Sequence, residues 1–229
     1  DINTHKGDPV FLAIDSHPNI EIRLFNPTRS RSGFFRRGIE MALRAFSVTR
    51  RMHNKAWIAD GRIAIVGGRN IGDEYFDAAK ATNFRDLDVL TIGPVVAQCA
   101  AMFDAYWNSD AVVPVIKLAT GNGTRLETVR QRLEAVAGGP DAAPFLARVR
   151  ERVSAAAMLD TMALHWTDVA NVVADPPDKA LDRGHDNWLM RQLYPLLSAA
   201  RVRVQLTSPY FVPGDDGAAR LTGVVARGV

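Results

Sequence analysis

Asp60-Gly61 separates two β-rich runs, residues 55–59 and 62–66, and an Asp-Gly pair in that setting closes an antiparallel hairpin, because its favoured turn needs positive φ at both central positions. A hairpin here decides which side chains meet. Alternate residues of a strand share a face, so His53 and Lys55 point the same way. The returning strand delivers Gly67, Gly68 and Asn70 to the same end of the ribbon. The run HNKAWIADGRIAIVGGRN thus groups a histidine, a lysine and an asparagine in the order His-x-Lys-x4-Asp, Gly-Gly-x-Asn. Asp60 is expected to shape the turn and not to do chemistry.

These residue types suit the cleavage of a phosphodiester, which is anionic and repels most nucleophiles. Neutralisation comes first: the Lys55 ammonium and the Asn70 amide donate to non-bridging oxygens, and glycines let backbone N–H groups come close. A neutral imidazole can then attack phosphorus. With an unperturbed pKa of about 6.5, histidine is largely neutral at working pH, and a covalent intermediate splits one hard displacement into two easier ones. The arrangement needs neither a metal nor a cofactor. Taken singly, His53 reads as a surface histidine, Lys55 as a solvated strand residue and Asn70 as a helix cap; the combination at fixed spacing carries the reading.

The run resembles the HKD motif of the phospholipase D superfamily. RRMHNKAWIADGRIAIVGGRNIGDEYFD, with the later FRDLDVLTIGPVV, is similar to the bacterial cardiolipin synthase branch, and VADPPDK (173–179) and LTSPYFVP (206–213) extend the likeness over most of the chain. The resemblance implies an α/β fold, a phospholipase D-like lobe with a mixed β-sheet flanked by helices, followed by the start of a second lobe. It implies phosphatidyl transfer through a phosphohistidine, with release of one alcohol and capture of the phosphatidyl group by another alcohol or water. His53 and Lys55 are then catalytic, Lys55, Gly68 and Asn70 bind the substrate phosphate, and Asp60 and Gly67 are structural members of the motif. Many superfamily members carry serine where this chain has Gly68; Gly-Gly is common in the lipid-active branches and favours lipid over nucleic acid.

The family also suggests an orienting carboxylate for the nucleophile, and Asp86 in FRDLDVL is the matching position. A carboxylate accepting from one ring nitrogen fixes the tautomer and presents the other as a lone pair. Asp86 and Asp88 are expected to share a strand face, with Asp86 the partner of His53 and Asp88 structural; the alternative puts both in salt bridges with Arg85 or Lys80. Asp73 and Glu74 read as the acidic first turn of a helix opening after Asn70.

Only one such motif occurs, whereas superfamily sites pair two, one histidine attacking while another protonates the leaving oxygen. His5, His17, His165 and His185 lack the accompanying lysine and glycines and read as loop or cap residues. Both ends look cut, so the expectation is a fragment: residues 1–115 a first lobe carrying the motif, 116–165 a helical insert or inter-lobe segment, and 166–229 the start of a second lobe. Completion by a second lobe or a second chain is expected, and little turnover without it.

Elsewhere the pattern predicts a helix at 9–16 and strands at 20–25 and 84–92. It predicts a helix at 95–107 with Val95, Cys99, Met102, Phe103 and Tyr106 on one side, and helices at 125–136 and 143–162. Strands at 166–173 and 202–207 flank a helix at 187–200, and a last helix covers 218–229. With 47% hydrophobic residues in 229, the chain can bury a core. Its single cysteine, Cys99, excludes an internal disulfide and a cysteine-based metal site. No apolar stretch approaches the roughly 20 residues that span a bilayer.

The net charge of +3 is modest, but residues 29–51 hold seven arginines against one acid, Glu40, with Phe35, Ile39, Ala42 and Phe46 at helical spacing. That segment either settles on an anionic membrane or packs its phenylalanines into the core. Three function classes stay open. The first is a cardiolipin synthase-type phosphatidyltransferase on a phosphatidylglycerol-like phospholipid, peripheral at a bacterial cell membrane. The second is a phospholipase D-type hydrolase or a nuclease, with nucleic acid as the alternative partner. The third is an inactive half-enzyme that binds anionic lipid.

Overall fold

The Asp-Gly turn forms as its sequence dictates. Asp60 and Gly61 both take positive φ, 53° and 63°, and the Arg62 N–H donates to the Ala59 carbonyl at 2.9 Å. The computed structural model describes residues 7–28, 51–118, 124–151, 164–206 and 212–229. In chain order these form α1 (Asp8–Asp15), β1 (Arg23–Phe25), β2 (Ala56–Ala59), β3 (Ile63–Gly67), β4 (Asp88–Ile92), α2 (Val95–Trp107) and β5 (Val112–Pro114). Then follow α3 (Leu126–Ala137), α4 (Ala143–Glu151), α5 (Leu189–Ala199) and α6 (Gly214–Ala226). The chain is α/β, as expected, and its described strand pairs are antiparallel: β1 with β5, and a three-stranded sheet in the order β2-β3-β4.

Register assigns the two faces of the larger sheet. Ile58 lies opposite Ala64 and Ala56 opposite Val66; on this face Ala64 is fully buried against Val96 and Cys99 of α2, with Ile58, Val66 and Val172 packed around them. Trp57, Ile65 and Leu90 fall on the other face. By alternation this is the face of Lys55, and Trp57 remains 66% exposed. Gly93, at φ 83°, turns the chain from β4 into α2. The Cys99 and Tyr106 side of α2 is buried as its spacing predicts, whereas Phe103 is 50% exposed and stacks on Trp107 at 5.4 Å between ring centroids.

Several expected elements are shorter or differ. The strand expected at 84–92 begins only at Asp88, because Arg69 donates to the Asp86 carbonyl (3.3 Å) and the Phe84 N–H turns to the Glu74 carbonyl (2.7 Å) instead of a ladder. Asp86 therefore lies outside the strand and does not share a strand face with Asp88. The helix expected after Asn70 is a single 3-10 turn, Asp73–Tyr75. The segment 166–173 is not a strand; the Gln98 side chain takes the place of a neighbour, accepting from the Val172 N–H (2.9 Å) and donating to the Ala170 carbonyl (3.2 Å). Residues 202–206 are not a strand either. His5, the basic segment 29–50, residues 152–162 of the expected insert helix and residues 207–211 of LTSPYFVP lie outside the described residues.

Candidate active site

The open end of the hairpin sets the site. The Gly67 N–H reaches the Lys55 carbonyl (3.4 Å) and the Gly68 N–H the Leu87 carbonyl (3.4 Å), so the ladder ends where the motif side chains begin. His53 is exposed. The Lys55 Nζ lies 3.0 Å from His53 Nδ1 and donates to the His53 carbonyl at 2.7 Å. The two side chains converge as expected, although both precede β2, which begins at Ala56, so the contact is not one of strand alternation.

That contact has a chemical consequence. An ammonium only donates, so Nδ1 accepts and the ring proton sits on Nε2, which makes Nε2 a donor and not a nucleophile. Attack through Nε2 needs Lys55 to leave the ring and the ring proton to move to Nδ1. A phosphate oxygen, being charged, is the better acceptor for the ammonium and draws it away. Partial burial lowers the Lys55 pKa from 10.5, with the Asp86 carboxylate pulling in the opposite direction.

The aspartates divide. The Asp88 carboxylate is held by the Arg69 Nε at 2.6 Å, and the same guanidinium donates to the carbonyls of Tyr75 and Asp86 and lies over the Phe76 ring at 5.5 Å. Asp88 thus pairs with Arg69, and not with Arg85 or Lys80. The Asp86 carboxylate lies over Gly68, where any Cβ would strike its Oδ1. Among the described residues no hydrogen bond or ion pair joins Asp86 to His53. Asn70 is also directed elsewhere, its amide donating to the Tyr75 hydroxyl at 2.7 Å. Asp60 occupies the turn at the far end of the hairpin from His53, and Gly67 faces Asp88 in register. His17 accepts the Asn19 N–H from its turn (3.2 Å) and His185 stacks on Trp188, which are ordinary roles for loop histidines.

Sequence reasoning missed a cavity of about 110 Å³ that His53 shares with Arg51, Asn54, Tyr106, Asp175 and Lys179. Asp175 organises part of its wall. Its carboxylate accepts from Lys179 Nζ (2.6 Å) and from the Leu189 N–H at the start of α5 (2.9 Å), and its carbonyl accepts from the Tyr106 hydroxyl (2.8 Å). Burial raises the Tyr106 pKa above 10.0, opposed by a hydrogen bond with the Asn54 side chain. The run VADPPDK was the available signal, but its closeness to His53 is a tertiary fact. A second cavity, about 430 Å³, lies between the loop after β3 and α4, with Phe76, Phe84, Arg85, Phe145 and Arg148 among its walls. Among the described residues no group of three or more His, Cys, Asp or Glu is placed to hold a metal ion.

Comparison with known proteins gives consistent relatives. The chain is 34% identical over its whole length to cardiolipin synthase C of Escherichia coli (strain K12), covering 48% of that protein. It is 29% identical over 205 residues to cardiolipin synthase A of Pseudomonas putida (strain KT2440), an alignment of 87% of this chain and 31% of that one. It is 27% identical over 190 residues to cardiolipin synthase A of Pseudomonas aeruginosa (strain LESB58), 82% of this chain and 29% of that one. The chain therefore spans about half, or less, of the length of the curated relatives it matches. No protein-family profile matches it, and no solved structure does.

Proposed function

We propose, for a chain that is a cardiolipin synthase-like member of the phospholipase D superfamily, that it supplies one half of a phosphatidyltransferase site acting on a phosphatidylglycerol-like phospholipid. The observation that carries this reading is the exposed His53 imidazole with the Lys55 ammonium 3.0 Å from its Nδ1 at the open end of a hairpin.

The chemistry follows from that pair. The substrate phosphate takes the Lys55 ammonium from the ring, and the Asn70 amide, swung from Tyr75, donates to a remaining oxygen; the Gly68 N–H, engaged by the Leu87 carbonyl, is not one of the donors. The ring proton shifts to Nδ1, and the Asp86 carboxylate turns from Gly68 to steady it. Nε2 then forms a bond to phosphorus as the bond to the departing alcohol oxygen breaks, and that oxygen takes a proton from an acid outside this histidine. The acid is the histidine of a second motif, from a second lobe or a second chain. Trp57 and its cross-strand neighbour Ile65, both exposed on the Lys55 face of the sheet, form an apolar pair that supports such a covering partner. In the second step the hydroxyl of an acceptor replaces Nε2 on phosphorus and returns its proton to the same acid.

The setting is an anionic bacterial membrane surface, approached peripherally; among the described residues no helix is long and apolar enough to cross a bilayer. In this reading residues 1–115 form the first lobe, 116–165 an insert and 166–229 the opening of the second. Incubating the full-length protein with phosphatidylglycerol vesicles, and separately with a DNA duplex, tests the assignment. Free glycerol with a new lipid phosphodiester is the expected result. Cleaved DNA with untouched lipid overturns it in favour of a nuclease.

A further inference from the structure

Among the described residues, the cavity beside His53 is lined by cationic side chains. Arg51 and Lys179 line it together with the imidazole, against the single carboxylate of Asp175, and Lys55 is not among its walls. The imidazole thus touches the Lys55 ammonium and shares the lining of this cavity with Lys179. The volume, about 110 Å³, leaves room for a small anionic group such as a phosphate.

Lys179 reaches this place by construction. Pro176 and Pro177 lead into the 3-10 turn Pro177–Leu181, and proline's fixed φ sets the path of the chain there. The ammonium is oriented by Asp175 at 2.6 Å and lies over the Trp188 ring at 4.8 Å, while Asp175 is itself anchored by the Leu189 N–H. An ammonium has three donor directions, so an oriented one can serve a carboxylate and an anionic ligand together.

A transferase that joins a phosphatidyl group to the hydroxyl of a second phospholipid has two phosphates to hold. One is the reacting phosphate, served by Lys55; the other belongs to the acceptor and does not react. Water as acceptor carries none. We propose that Lys179 is a specificity-determining residue that binds the non-reacting phosphate of a glycerophospholipid acceptor in the cavity beside His53. This rests on the phosphatidyltransferase reading above. The bond changes are those of the second step already described: the phosphorus–Nε2 bond breaks, its electron pair returns to the ring, and a bond forms to the acceptor oxygen, whose proton passes to the second motif's histidine. Lys179 takes part in no bond. It biases which hydroxyl, lipid or water, arrives.

The test uses the full-length protein with phosphatidylglycerol vesicles and measures the ratio of transfer product to phosphatidic acid. Lys179→Met should lower that ratio about tenfold or more, the effect of losing a hydrogen bond to a charged group, and Lys179→Arg should restore most of it. Covalent labelling of His53 by donor lipid should persist in both variants, since the donor phosphate is held elsewhere; persistence also shows that the variants fold. A merely structural role would slow both products together. An unchanged ratio in Lys179→Met with labelling intact overturns the inference alone. Loss of labelling in both variants also overturns it, because Lys179 would then serve the fold or the donor. A native protein that makes no transfer product overturns the parent reading and the inference with it.

Discussion

Gly67 and Gly68 are adjacent at the end of β3, yet their surroundings predict opposite consequences for an added methyl group. At Gly67 a Cβ would stand 2.7 Å from the Leu87 carbonyl oxygen and 2.8 Å from the Asp88 Cα, and would also strike the Asp88 carboxylate. The first two obstacles are backbone at the entry to the paired strand. The third is a carboxylate that Arg69 holds at 2.6 Å, so relief requires β4 to move off β3. At Gly68 the obstacle is the Asp86 side chain alone, with Oδ1 in collision and Cγ at 3.3 Å; a side chain can rotate. Overpacking costs about 1–3 kcal/mol, and a clash with backbone belongs in the upper half of that range. At about 2–4 °C per kcal/mol for a domain of this size, Gly67→Ala should lower Tm by roughly 5–10 °C. Gly68→Ala should stay within about 1 kcal/mol, but it displaces Asp86 and should slow covalent labelling of His53. Thermal unfolding by circular dichroism, paired with rapid-quench labelling of the full-length protein, reads both effects. Equal Tm losses in the two variants, or a Gly68→Ala protein that labels at the native rate, would refute the reasoning.

Arg69→Met leaves the partly buried Asp88 carboxylate without its counter-ion and frees the carbonyls of Tyr75 and Asp86; a loss of about 2–3 kcal/mol is expected, and an unmoved urea midpoint would show that Arg69 is no brace. The Lys55 pKa is lowered from 10.5, so as pH rises toward 10.5 the folded chain gives up this proton before the unfolded chain does. This group's contribution to stability therefore increases through that window, while activity, which needs the ammonium, falls. Lys55→Arg keeps the charge and should flatten the alkaline limb of the rate profile; a limb unchanged in that variant would assign it to another group. Lys55→Ala should raise the barrier by roughly 3 kcal/mol, as loss of an oxyanion donor does. Activity should survive chelators, and a strict divalent-metal requirement for the chemical step would contradict the mechanism.

Local chemistry made the hairpin legible, because Asp60-Gly61 and its flanking β-rich runs contain the whole instruction for that turn. The long helix was legible for the same reason: Gly93-Pro94 starts it and Cys99 and Tyr106 mark its buried side. The failures are tertiary. Residues 84–87 carry strand-like composition, but Arg69 captures the Asp86 carbonyl. Residues 166–173 are rich in β-branched side chains, yet the Gln98 side chain of α2 meets their backbone at Ala170 and Val172. The convergence of His53 and Lys55 was expected from spacing, although both precede β2, whereas the turn of Lys55 onto Nδ1, the engagement of Asn70 by Tyr75 and the pairing of Arg69 with Asp88 depend on contacts that spacing does not encode. Lys179 is 126 positions beyond His53 in the sequence, and no periodicity connects them.

The account stands on His53 as the atom donor to phosphorus. The direct measurement is acid quenching of the full-length protein during turnover of phosphatidylglycerol carrying a labelled phosphate, followed by peptide mass spectrometry. The label should sit, acid-labile, on the peptide containing His53 and vanish in His53→Ala. Label retained in that variant, or turnover at the native rate without any label on His53, would contradict the account.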